Sequence, residues 1–218
     1  MKHLLRSGVV PLAAALVMVS GVAAHAQDAR VNDRRGDVWR ATDDEAEPYV
    51  AAGSPLNADI DRTTVEHGSR DLLITTTYER LAQRRHSVFP IWTIRTSDGT
   101  QYSAAVLAGP GDWPGQAFLF TDTPPPLLRM QGQVEGQVEG QVEGQVEGQG
   151  ECRRLSHGID YVADTITILV PRTCFGAPDQ VRVRSTAQAS SEAGKSFYDN
   201  GHNRGHGRKG YTRMLSAG

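Results

Sequence analysis

A chain of 218 residues with 39% apolar residues and a formal net charge of −2 has the length of one domain with loose ends. Its mild negative balance excludes a global electrostatic attraction to nucleic acid or to an anionic membrane.

The first 26 residues read as a secretory signal peptide. Lys2, His3 and Arg6 form a basic start, Val9 to Val22 is almost wholly apolar, and Ala24-His25-Ala26 is a small-x-small cleavage pattern. The apolar run is shorter than the ~20 residues of a spanning helix, and no second one follows, so no transmembrane anchor is expected. Cleavage after Ala26 would remove Lys2 and Arg6 and no acid, leaving a more acidic, extracellular chain.

Residues 27–57 are polar and read as an irregular N-terminal segment in which only Val38 and Trp39 look able to pack. From residue 58 to 187 the pattern is that of a β-sandwich domain. Asp61–His67, Asp71–Leu81, Val88–Thr96, Gln101–Ala108, Gln116–Thr121, Thr165–Val170 and Gln180–Ser185 are short runs rich in Thr, Val, Ile and aromatics. Asp98-Gly99 between two of them is a hairpin signal. Alternation puts Ile74, Thr76 and Tyr78 on one face, Ile166, Ile168 and Val170 on another, and Val181 and Val183 opposite two arginines. One apolar and one wet face imply antiparallel sheets, so the expected fold is an all-β antiparallel sandwich, jelly-roll or immunoglobulin-like.

Pro124-Pro125-Pro126 interrupts the strands, and a low-complexity stretch follows at 131–151 in which Gln-Val-Glu-Gly is written four times. Glycine at every fourth position opposes a helix. Four valines cannot offset the ordering entropy of about 20 residues at ~1–2 kcal/mol each, so a long disordered loop is expected. Cys152 and Cys174 read as one disulfide, since an exported chain meets an oxidising compartment. Residues 188–218 read as a flexible, basic, Gly-rich C-terminal segment.

Motifs for chemistry are sparse. ASSEAGKS at 189–196 approaches a phosphate loop but begins with Ala189 and lacks a parallel βαβ setting. His202 and His206 lie four apart in Gly-rich surroundings, and Arg35-Gly36-Asp37 is a tripeptide that a turn explains equally well. No Gly-x-Ser-x-Gly or His-Glu-x-x-His occurs, so no catalytic residue is assigned. The most suggestive acids are Asp33, Asp37, Asp59 and Asp61, which precede the first clear strand and could supply calcium with loop oxygens; turn capping explains them as well. Calcium is the single cofactor in question. Among the tryptophans, Trp92 lies mid-strand and is expected in the core, whereas Trp113, in GPGDWPG, is expected in a loop and is the candidate ligand-binding ring.

Gly36-Asp37, Ala58-Asp59-Ile60, TTVEHGSRDLLITTTYERL (63–81), Cys152, Ile159-Asp160, DTITILVPRTC (164–174) and FYDN (197–200) together resemble an uncharacterised group of secreted actinobacterial proteins with a single β-sandwich and one disulfide. The resemblance implies the fold and the bridge and brings no established activity. The Gly-Asp and Asp-Ile pairs are more loosely similar to jelly-roll carbohydrate-binding and DOMON-like modules, which implies ligand or sugar binding. The resulting expectation is a secreted, non-enzymatic β-sandwich of binding or structural kind. Its rivals are a carbohydrate- or calcium-binding module, with a carbohydrate or cell-envelope surface as partner, and a small secreted hydrolase using His157 and nearby aspartates.

Overall fold

The computed structural model describes residues 26–42, 48–84, 86–121, 152, 154–201 and 210–218. The apolar run Val9 to Val22, the Gln-Val-Glu-Gly stretch, and His202 with His206 lie outside these residues.

Thirteen strands are described: β1 (Gln27–Asn32), β2 (Val38–Ala41), β3 (Tyr49–Gly53), β4 (Ile60–His67), β5 (Asp71–Tyr78), β6 (Phe89–Thr96), β7 (Gln101–Gly109), β8 (Asp112–Thr121), β9 (Ser156–Asp160), β10 (Thr165–Pro171), β11 (Gln180–Ser190), β12 (Ser196–Asn200) and β13 (Leu215–Ser216). They form two antiparallel sheets, ordered β1-β4-β5-β10-β9 and β3-β2-β12-β11-β6-β7-β8, with β13 added alongside β11. All seven expected strand regions are present as β4–β8, β10 and β11. The two sheets bury one core between them, to which Leu72, Ile74, Ile166, Ile168 and Val170 come from one side and Trp92, Ile94, Val106, Val181 and Val183 from the other. The fold is therefore an all-β sandwich, formed by the period-two alternation visible in these strands.

A chain of polar side chains crosses that core. Trp92 Nε1 donates to Thr76 Oγ1 at 2.9 Å, the Thr76 and Thr63 hydroxyls are 3.4 Å apart, and Thr63 meets Ser185 at 2.7 Å. Thr63 and Thr76 belong to the smaller sheet, Trp92 and Ser185 to the larger one. Each group thereby avoids the penalty of an unmade hydrogen bond in a dry interior.

The hairpin at Asp98-Gly99 joins β6 to β7. Gly99 has φ +93°, a conformation glycine adopts without strain, and Asp98 Oδ1 accepts from the Thr100 amide at 2.9 Å and from the Thr96 hydroxyl. Cys152 is bonded to Cys174, which lies in a 3₁₀ turn after β10 (Arg172–Phe175). In the chain-entropy view a loop of this size contributes ~3 kcal/mol.

Two expectations need correction. Residues 27–57 are not irregular: they hold β1, β2 and β3. β1 and β3 lie at sheet edges, β1 against β4 from Gln27↔His67 to Asn32↔Arg62 and β3 against β2, which pairs on its other side with β12. Backbone pairing holds them, and composition does not record backbone pairing. The described parts of the expected C-terminal segment 188–218, residues 188–201 and 210–218, are likewise not a free tail. β11 runs on to Ser190, β12 returns beside it, and Leu215 is fully buried in the core. Small and polar residues can pair in a sheet provided an inward position carries an anchor, and Leu215 is one. The last residues also lie against the first strands: the Ser216 amide donates to Gln27 Oε1 at 2.9 Å, Arg213 to the Asp28 carbonyl at 3.0 Å, and the Gly218 amide to the His67 carbonyl at 3.1 Å. Among the described residues no helix is long and apolar enough to cross a membrane.

Candidate metal centre

Four aspartates converge where the chain leaves the smaller sheet for the larger. Asp33 directly follows β1, and its amide extends the β1–β4 ladder by donating to the Asp61 carbonyl at 2.8 Å. The chain then turns at Gly36, whose φ of +78° suits glycine, and Asp37 leads into β2. The turn is fixed by Asp59, just before β4: its Oδ2 accepts from the Gly36 amide at 2.9 Å. Asp199 comes from β12, where its side chain points into the sandwich and is 3% exposed.

Carboxylate oxygens of Asp33, Asp37 and Asp199 all lie within 4.8 Å of one another. Asp33 and Asp37 are half-buried and Asp199 is buried. Asp199 is held from the backbone, its Oδ2 accepting from the Ile60 amide and its Oδ1 from the Asn200 amide, both at 2.7 Å. Asp59 is 1% exposed, and its Oδ1 is buried with no hydrogen-bond partner. The Tyr78 hydroxyl, on the residue that pairs with Ile60, is also buried without a partner.

The electrostatics follow from this crowding. Burial, then the negative charges of Asp33, Asp37 and Asp59, push the Asp199 carboxyl up to about 8, against a smaller downward pull from the Ile60 amide. Burial, with the Asp199 charge second, also pushes the Tyr78 phenol well above its usual value. A divalent cation would relieve both effects. Two oxygens on one calcium ion, each 2.3–2.6 Å from it, stand at most ~5 Å apart, and the three-carboxylate spacing meets that limit. The donors are all hard oxygens, which favours calcium or magnesium over zinc or copper. Asp33, Asp37 and Asp199 would hold the ion, and the orphaned oxygen of Asp59 stands in reserve as a further ligand or an acceptor for bound water.

Of the four acids expected from the sequence, Asp33 and Asp37 meet in the cluster, and Asp59 braces it. Asp61 does not join. It faces Arg35, whose Nε lies 2.7 Å from both Asp61 Oδ1 and Glu79 Oε2, and the hydrogen bond from Arg35 lowers its carboxyl below the usual range. Arg35-Gly36-Asp37 is thus committed internally, with Arg35 in an ion pair, the Gly36 amide on Asp59 and Asp37 in the cluster. Asp199 was not legible as a ligand, because the Ile60–Asp199 contact spans 139 positions. The available signal was parity: Asp199 alternates with Phe197, which also packs inward.

Trp113 is not in a loop. It lies in β8, half-buried, and its ring meets Tyr161 edge-on with centroids 6.0 Å apart, while its carbonyl accepts from the Tyr161 hydroxyl. Pro114 bounds it but does not break the strand, because β8 is an edge strand where a missing donor is tolerated. Trp92 is fully buried. His157, on β9, bonds the Pro114 carbonyl through Nε2 at 2.9 Å, while Asp160 caps the amides of Val162 and Ala163. Both therefore have structural partners in the β8–β9 corner.

The seat of Asp199 is sensitive to its neighbour Gly201. A Cβ there would lie 2.4 Å from Ser185 Oγ and 3.1 Å from Ile60 Cδ1. Gly201→Ala is expected to lower stability by ~1–3 kcal/mol, the range for overpacking. Thermal denaturation followed by circular dichroism checks this, and an unchanged midpoint would contradict the tight packing behind the cluster.

Comparison of the chain with protein-family models, curated proteins and solved structures returns no match.

Proposed function

We propose that this is a secreted, non-enzymatic β-sandwich protein that binds one calcium ion through Asp33, Asp37 and Asp199, with Asp59 beside them. The observation that carries this reading is the convergence of those carboxylates, from chain segments far apart, at a buried point with an orphaned Asp59 oxygen. The ion acts structurally. It pins the β1–β2 connection to β12 and, through the Asp59–Gly36 bond, to the start of β4, so both sheets are tied at one end. A disulfide and the signal-like first 26 residues support an extracellular setting, where calcium sites of modest affinity, with Kd ~10⁻⁴–10⁻³ M, are filled.

Calorimetric titration of calcium into chelator-treated secreted protein tests the reading. One site per chain is expected, with weaker heat from magnesium and none from zinc at that site. Binding should vanish in Asp199→Asn and weaken in Asp59→Asn. Folded protein that takes up no calcium, or an Asp199→Asn variant that binds as the parent does, would overturn it.

A further inference from the structure

A second site, independent of the cation centre, is carried by the outer face of the larger sheet. Because Val181, Val183, Trp92 and Ile94 point into the core, Arg182, Arg184, Thr93 and Arg95 point away from it. The β11–β6 register sets Arg182 opposite Arg95 and Arg184 opposite Thr93, and β6–β7 continues the first row from Arg95 to Gln101. Neighbouring strands lie ~4.8 Å apart and alternate residues ~6.6 Å apart, so three guanidinium groups are anchored within one small patch.

Their heads are organised rather than splayed. The Arg182 and Arg184 guanidinium carbons lie 4.8 and 5.4 Å from the centre of the Tyr211 ring, and Arg184 also donates to Thr93 Oγ1 at 3.0 Å. Stacking on the ring removes side-chain freedom that a ligand would otherwise have to remove. The Nε of each is buried and meets no acceptor, and Arg95 is exposed. No carboxylate occupies an outward position of β6, β7 or β11. Like charges held together without an anion are a cost that an anionic partner reverses.

We infer that this face binds an anionic polysaccharide through Arg95, Arg182 and Arg184, with sulfate or carboxylate groups on the guanidinium forks and sugar hydroxyls on Gln101. Guanidinium forks match such oxyanions in pairs. A nucleic acid strand fits less well. The Tyr211 ring beside the arginines already carries two guanidinium groups, and the stacked Phe118–Phe120 pair on the same outer face lies two strands away from Arg95.

The test is binding of a sulfated heparin oligosaccharide to the secreted protein by calorimetry at two salt concentrations, with neutral dextran, single-stranded poly(dT) and phosphatidylserine vesicles as parallel arms. Heparin oligosaccharide should bind with an affinity that falls as salt rises. Arg182→Gln/Arg184→Gln should weaken it at least ~tenfold, the loss expected for charge-assisted bonds. Arg95→Gln should weaken it less, and Arg30→Gln, on the far sheet edge, should leave it unchanged. Melting curves establish that each variant folds; if the double variant does not, exposed Arg95 alone decides. No heparin binding, equal binding by the folded arginine variants, equal binding of dextran, or tighter arginine-dependent binding of poly(dT) or vesicles would each overturn the inference.

Discussion

In chelator, the protein is expected to lose stability as pH rises from about 4 to about 8, and calcium is expected to restore it. The sign follows from Asp199. Its carboxyl is pushed up to about 8 in the fold, chiefly by burial and next by the Asp33 charge, whereas an unfolded aspartate titrates near ~3.9. Between those values the folded chain keeps a proton that the unfolded chain has released. Its contribution is therefore fully present below pH ~3.9 and is lost as pH rises through about 8, at up to ~1.4 kcal/mol per unit. A bound cation replaces that proton, so calcium binding should release protons in this window and tighten toward its upper end. At a tenfold excess over Kd, which millimolar calcium reaches for a Kd of ~10⁻⁴ M, the gain is ~1.4 kcal/mol, which is ~3–6 °C for a chain of this size. Melting curves from pH 4.5 to 8.5, with chelator and with millimolar calcium, measure both effects. Asp199→Asn should flatten the chelator curve and remove the calcium response. Superimposable curves with and without calcium would reject the coupling.

Removing Trp92 is expected to give the largest loss from a single core substitution. The side chain is fully buried and supplies the Nε1 donor that begins the Thr76–Thr63–Ser185 chain. Trp92→Ala should cost ~3–5 kcal/mol, or ~6–20 °C in Tm, through the cavity and the unpaired hydroxyl together. Trp92→Phe keeps most of the volume and deletes the donor, so its smaller loss, ~1–3 kcal/mol, isolates the hydrogen bond. Urea or thermal unfolding of the three proteins separates the two contributions. An alanine variant melting within a few degrees of the parent would show that the sheets close over the gap.

The core of this fold was legible because alternation is a local property. Ile166, Ile168 and Val170 announce an inward face wherever the strand goes, and all three are fully buried. The edge strands were not, since β1 reads QDARVN and owes its conformation to the backbone of β4 rather than to its own side chains. The same divide runs through the cation site. Asp33, Asp37 and Asp59 surround a turn and could be read together, but Asp61, two residues from Asp59, lies in the register shift between Ile60 and Arg62, where plain alternation does not hold, and is taken by Arg35. Asp199 enters only through tertiary pairing of β12 beside β11 and β2. Trp113 misled for a related reason: glycines and prolines around it mark a loop in isolation, yet an edge strand accepts them.

The contacts of β1 with the residues around β13 bring Gln27 and Gly218 close together in space. Ser216 bonds Gln27, and Gly218 bonds His67, the residue paired with Gln27. A short peptide from Gly218 to Gln27 would close the ring, and a cut between Thr121 and Cys152 would open it again with β9 first and β8 last. Such a permutant would keep every described strand beside its present neighbours, with the His157–Pro114 and Tyr161–Trp113 bonds still joining β9 to β8 across the new ends. The order of strands along the polymer is thus separable from their order in the sheets.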